Sequence, residues 1–115
     1  MHEYSIVQAL IGLVEAEAHK RNATAVHTLR VGLGELSGVE PSLLATAYET
    51  FRECTICAGA NLDLRAIPAQ WACPRCKLPI VRGAPLQCTN CGGPARLVHG
   101  DELVLESIEM EVTKR

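Results

Sequence analysis

Cys73-Pro74-Arg75-Cys76 and Cys88-Thr89-Asn90-Cys91-Gly92-Gly93 decide how this chain is divided. Each begins with a C-x-x-C pair, a tight turn that aims two thiolates at one point. Eleven residues separate the pairs, somewhat fewer than the commonest zinc-ribbon spacing. Two such turns complete a tetrahedral shell of four sulfurs, a donor set that suits zinc. Gly92 and Gly93 permit a positive φ and a close approach of backbone to sulfur. A disulfide pair or a redox motif is the alternative reading. A filled four-sulfur shell leaves no open position, so zinc on Cys73, Cys76, Cys88 and Cys91 would be structural. Trp71 either covers this site or serves a small core.

Outward from the knuckles, residues 69–98 hold four prolines and three glycines and little hydrophobic pattern. That composition reads as a metal-stapled module. Before it, Ile6, Val7, Leu10, Leu13, Val14 and Ala18 fall at helical steps. The helix start is placed at Glu3 or Tyr4, or at a capping box of Ser5 and Gln8. Val26, Thr28, Arg30, Gly32 and Gly34 alternate with Leu29, Val31 and Leu33, which reads as a strand. A second helix is expected from Pro41 or Ser42 to Glu53, with Leu44, Ala47, Tyr48 and Phe51 inward. Leu62, Leu64, Ala66 and Ile67 make a second strand. Leu103, Leu105, Ile108, Met110 and Val112 make a last one, with a change of phase near Ser107 that predicts a bulge. The expected fold class is α+β: a three-stranded sheet carrying two helices, with an inserted four-cysteine zinc-ribbon-like module. The expected domains are 1–68 plus 101–115, and 69–100.

Composition sets limits on function. The 115 residues carry a formal net charge of −2. No long run of Lys or Arg supplies the basic face of a nucleic-acid binder or a polybasic membrane anchor. Ile6 to Val14 imitates a signal-peptide core, but no Lys or Arg precedes it. No apolar stretch approaches the ~20 residues of a membrane span. A cytoplasmic location is expected. There six cysteines are reduced thiols or metal ligands rather than structural disulfides.

Cys54-Thr55-Ile56-Cys57 is a third C-x-x-C pair, at the expected end of the second helix. One pair cannot close a zinc shell, so two reduced, partly buried thiols are expected. A thiol oxidoreductase remains the rival. It would want a helix N-terminus to depress the thiol pKa. No paired carboxylates, nucleophile elbow or phosphate loop supports an enzyme. His19 and His27 are expected to face solvent.

Met1-His2-Glu3 opens the chain. An α-amine, deprotonated peptide nitrogens and the imidazole of residue 2 can chelate one ion in fused small rings. Four nitrogens in a plane suit nickel(II) or copper(II) rather than zinc. The first N–H groups of a helix have no intrahelical partner. A helix beginning close by therefore leaves those amides free.

These residues carry a family likeness. Met1-His2-Glu3-Tyr4-Ser5, Val31-Gly32-Leu33-Gly34-Glu35-Leu36-Ser37 and Ala47-Tyr48-Glu49-Thr50-Phe51 resemble the hydrogenase maturation nickel chaperones, the HypA/HybF family. The paired knuckles, Gly100-Asp101-Glu102-Leu103 and Ser107-Ile108-Glu109 fit as well. The resemblance implies a nickel metallochaperone, not an enzyme. Nickel would be bound through His2 with the backbone of Met1, His2 and Glu3, beside structural zinc on the four cysteines. It implies delivery to the large subunit of a [NiFe]-hydrogenase together with a GTPase of the HypB type, the carrier being a monomer or homodimer. Some members carry a His beside the knuckles. None follows Cys76 or Cys91 here, and His99 lies beyond them and is expected to be exposed. The rival from another class is a zinc-ribbon interaction module without transported metal.

Overall fold

The structure, a computed structural model, describes residues 2–113, with His2 described by its backbone alone. Helix α1 (His2–Lys20) is followed by β1 (Ala23–Gly34), α2 (Pro41–Phe51) and β2 (Asn61–Ile67). Three short strands come next: β3 (Gln70–Ala72), β4 (Pro79–Ile80) and β5 (Arg96–His99). The long β6 (Leu103–Val112) closes the order. One sheet has the order β2-β1-β6 and a second the order β4-β3-β5. β2 runs parallel to β1, with α2 in the crossover. β6 returns antiparallel on the other side of β1. The small sheet thus lies between β2 and β6 in the chain. The α+β class and the three-stranded sheet with two helices stand as read from the sequence.

The core joins Val7, Leu10, Ile11, Val14 and Ala18 of α1 to Leu29, Val31 and Leu33 of β1 and Leu44, Ala47 and Tyr48 of α2. Three expectations need correction. First, α1 begins at His2, so Ser5 lies inside the helix and no capping box with Gln8 forms its start. Glu3 instead sits in the first turn, where a carboxylate suits the helix dipole. Second, Leu13 is 60% exposed while Ile11 is buried. With about 100° per residue, Leu13 lies about 120° round the helix from Val7, outside the buried stripe. Third, Val26 joins the buried face instead of alternating with it. A register shift between Val26 and Thr28 leaves His27 as an extra residue, which exchanges the two faces of the strand.

The expected bulge near Ser107 is present. Arg30 pairs with Ser107 and Val31 with Leu105, so Glu106 is the extra residue. Helix α2 ends at Phe51, two residues before the expected Glu53. Its start matches, with Glu40 as N-cap and Pro41 in the first turn. Phe51 meets Tyr4 edge-on at 5.0 Å, tying α2 to the first turn of α1.

The two segments that lead into and out of the small sheet cross at the end of β1. Gly34 N–H donates to Glu102 (2.7 Å), Glu35 N–H to Ile67 (2.8 Å) and Leu36 N–H to Gly100 (2.6 Å). A Cβ on Gly34 would overlap the Gly100 carbonyl, and one on Gly100 would come within 2.6 Å of Ala69 Cα. Gly100 also sits at φ +120°. Gly34→Ala is therefore expected to push the crossing apart, at a cost of about 1–3 kcal/mol as for other overpacking substitutions. A urea titration followed by helical circular dichroism checks this. An unchanged midpoint would show that the crossing yields freely.

Candidate metal centre

The two C-x-x-C turns are built alike. Cys73 N–H donates to the Leu78 carbonyl and Lys77 N–H to the Cys73 carbonyl, both at 2.9 Å. Cys88 N–H donates to Gly93 (2.8 Å) and Gly92 N–H to Cys88 (3.0 Å). The residue after the second cysteine is left-handed in both turns, Lys77 at φ 62° and Gly92 at φ 73°. The sequence marked this demand only in the second turn, through Gly92-Gly93. In the first turn a lysine meets it, at a cost of about 1–2 kcal/mol. Lys77→Gly is expected to relieve up to about 1 kcal/mol. If metal binding and local folding are one equilibrium, that appears as up to about five-fold tighter zinc retention in chelator competition. Weaker retention would refute it.

The turns bring Sγ of Cys73, Cys76, Cys88 and Cys91 within 4.8 Å of one another. The Cys73 and Cys91 sulfurs are 3.6 Å apart. Four sulfurs at 2.3 Å from one zinc ion lie about 3.8 Å apart, so the set fits that ion. Backbone N–H groups point at the sulfurs, as thiolates require. Cys76 N–H lies 3.3 Å from Cys73 Sγ, Asn90 and Cys91 N–H lie 3.3 and 3.4 Å from Cys88 Sγ, and Gly93 N–H lies 3.4 Å from Cys91 Sγ. The N–H groups of Cys91 and Asn90 draw the Cys88 thiol down to about 6. Asn90 Nδ2 lies 3.3 Å from Cys76 Sγ and favours its thiolate. Crowding by Cys91, burial and the other two sulfurs outweigh that bond and push the Cys76 thiol up to about 11. Four adjacent thiols cannot all ionise without a cation among them. The Asn90 contribution was not anticipated from the sequence.

Trp71 stands opposite Ile80 and Leu97 in the small sheet and is half-buried. Cys54 and Cys57 are drawn into different surroundings. Cys54 is exposed at φ 64°, whereas Cys57 is fully buried. Burial pushes the Cys57 thiol up, outweighing its bond with Tyr48. A raised thiol is the opposite of what disulfide exchange needs. Tyr48 Oη (3.0 Å) and Arg52 Nη1 (2.8 Å) both donate to the Ala60 carbonyl, closing the turns after α2 over Cys57.

Glu35 also escaped assignment by sequence. It follows β1 and accepts the Ala69 N–H (2.8 Å) and a two-pronged contact from Arg82, 47 residues away. Arg82 first, and the Ala69 N–H second, hold its carboxyl down to about 2. His19 and His27 face solvent as expected, and so does His99, whose Nδ1 lies 3.3 Å from Glu102. Met1 and the His2 side chain lie outside the described residues, and so does the nickel assignment that rests on them.

A family model described as "Hydrogenase/urease nickel incorporation, metallochaperone, hypA" matches residues 1–110. A hydrogenase maturation factor HypA from Wolinella succinogenes is 41% identical over 114 residues, covering 96% of each chain. Another from Aquifex aeolicus is 38% identical, covering 97% of this chain and 99% of its own. A solution structure of a HypA protein aligns with a TM-score of 0.83 at 35% identity, covering 98% of both chains. A solution structure of the Ni metallochaperone HypA from Helicobacter pylori aligns at 0.75 and 34%, covering 96% of this chain and 98% of the other.

Proposed function

This chain belongs to the HypA family of nickel metallochaperones for hydrogenase maturation, and from that premise we propose that it carries one Ni(II) on Met1-His2-Glu3 and one structural zinc on its four cysteines. The observation that carries the nickel reading is the family match, which runs from residue 1 and so includes the Met-His-Glu segment. The backbone supports it. α1 begins at His2, so the amides of His2 and Glu3 belong to the first turn, whose N–H groups no helical carbonyl uses. Giving up those protons to nickel costs no backbone hydrogen bond. For zinc, the supporting observation is the convergence of four sulfurs at tetrahedral spacing.

A carrier must bind and then release. A site at a chain terminus, made of groups that must shed protons to bind, does both. Delivery to the large subunit of a [NiFe]-hydrogenase, with a HypB-type GTPase and in the cytoplasm, completes the reading. No helix is long and apolar enough to cross a membrane among the described residues. We also keep the division into a nickel-binding body, 1–68 plus 101–115, and a zinc module, 69–100. The four cysteines, with Cys73 and Cys88 buried at the centre of the small sheet's knuckles, support it.

Metal analysis of untagged protein during a nickel titration tests the reading. One zinc and one nickel per chain are expected, with a planar-site nickel absorption band. The band should fade as pH falls from 8 to 6, through the range where a free imidazole titrates, near ~6.5. One zinc and no nickel would favour the interaction module without cargo.

A further inference from the structure

Charge is divided sharply along this chain. Residues 69–100 hold four basic side chains, Arg75, Lys77, Arg82 and Arg96, and no Asp or Glu. The remainder holds seven basic residues against thirteen acidic ones. With four thiolates around a divalent ion, the small module still carries about +2. The rest of the chain carries about −6.

The basic module also bears apolar surface. A groove of about 940 Å³ runs between the small sheet and the turn after β1. Its apolar lining includes Leu36, Trp71, Val81, Leu86 and Val98. Val81 is 77% exposed, Val98 53% and Leu86 50%. Single exposed apolar residues are ordinary, but here several share one concave surface. Lys77 and Arg82 line the same groove. Its one carboxylate, Glu35, is already engaged by Arg82 and the Ala69 N–H. Small-molecule sites need a few buried polar groups aimed at the ligand. Apart from the engaged Glu35, the charged or amide side chains of the groove are Gln70, Lys77 and Arg82, three long exposed groups rather than a buried, convergent set. That leaves a protein segment as the occupant with matching chemistry.

We propose that this groove docks an acidic, apolar peptide segment of a partner protein, with apolar side chains against Trp71, Val81 and Val98 and carboxylates toward Lys77 and Arg82. Arg82 is the better anchor, because its planar fork can hold a carboxylate at two points. Its present pair with Glu35 is exposed, and such pairs contribute little, so a second carboxylate can share the guanidinium at small cost. The site involves neither the four sulfurs nor the first turn of α1. It therefore stands or falls apart from the nickel assignment.

Trp71 is the only tryptophan of the chain, so the groove has its own fluorophore. The zinc-loaded full chain, without nickel, is titrated with three ten-residue peptides that alternate Leu or Val with Glu, with Gln, or with Lys. The Glu peptide is expected to change Trp71 fluorescence saturably. It should also shift the amide resonances of Lys77, Val81, Arg82 and Val98. The Lys peptide should bind at least ten-fold more weakly. Val81→Asp and Arg82→Gln should each weaken the Glu peptide several-fold while zinc stays at one per chain. Equal binding of all three peptides would overturn the proposal, as would shifts confined to α1 and β6. So would no saturable change up to millimolar peptide, or sedimentation showing that a second copy fills the groove. If either variant loses zinc, the comparison of Glu and Lys peptides on the unaltered protein still decides.

Discussion

His2→Ala is expected to abolish stoichiometric nickel binding while one zinc per chain and the helical content remain. The proposed nickel ligands are mostly backbone: the α-amine and the amides of His2 and Glu3. An alanine at position 2 keeps all of them. It removes only the imidazole, the one side chain that completes a planar set of nitrogens. Losing a direct ligand should weaken nickel by more than about 100-fold, beyond the 10–100-fold typical of changes around a metal site. Stability should barely change. Position 2 lies in the first turn of α1, and the buried stripe starts at Val7. Equilibrium dialysis with metal analysis gives the result directly, and acetylating the α-amine should have a comparable effect. If His2→Ala still held one nickel per chain, the terminal site would be wrong whatever the family.

Cys73→Ser should remove zinc and unfold the small sheet while leaving the helical body folded. Within residues 69–99, Cys73 and Cys88 are the only buried side chains. Every other residue there is exposed or half-exposed, so the metal centre takes the place of a hydrophobic core. Structural zinc in small peptides supplies on the order of 10–16 kcal/mol, far more than three short strands can provide. The body has its own core, from Val7 and Leu10 to Leu44 and Tyr48, and that core has no member in residues 69–99. Amide exchange should therefore become fast across residues 69–99, while α1, α2 and β1 stay protected. Persisting protection around Trp71 and Leu97 would mean that the module folds without metal.

Both predictions concern features legible in the sequence. The helices and long strands could be located because their signals are local. Val7, Leu10 and Val14 recur at helical spacing, and Pro41 after Glu40 starts α2. The phase change in β6 marked its bulge because a strand has a period of two, and one extra residue shows as a slip. The same rule failed in β1. Val26 and Leu29 stand three apart, the same slip, but Val26 is the only large apolar residue of the strand before His27, too short a run to fix a phase. Leu13 misled for a related reason. It is apolar at an acceptable spacing, and only the placement of the neighbouring elements decides which side of a broad stripe is covered.

By itself the sequence determined the two C-x-x-C pairs and the α+β order of the elements. In each, the signal is local: two thiolates within one turn, or a side-chain period of two or 3.6 residues. Tertiary structure alone decided how the two parts are joined. Gly34 against Gly100, and Glu35 against Ala69 and Arg82, unite residues far apart in the chain. It also decided that Cys57 is buried while Cys54 is exposed, and that Val81 and Leu86 stay open beside Trp71. No local pattern encodes such pairings. They follow from which surfaces remain uncovered once the sheet has closed, and that depends on every element at once.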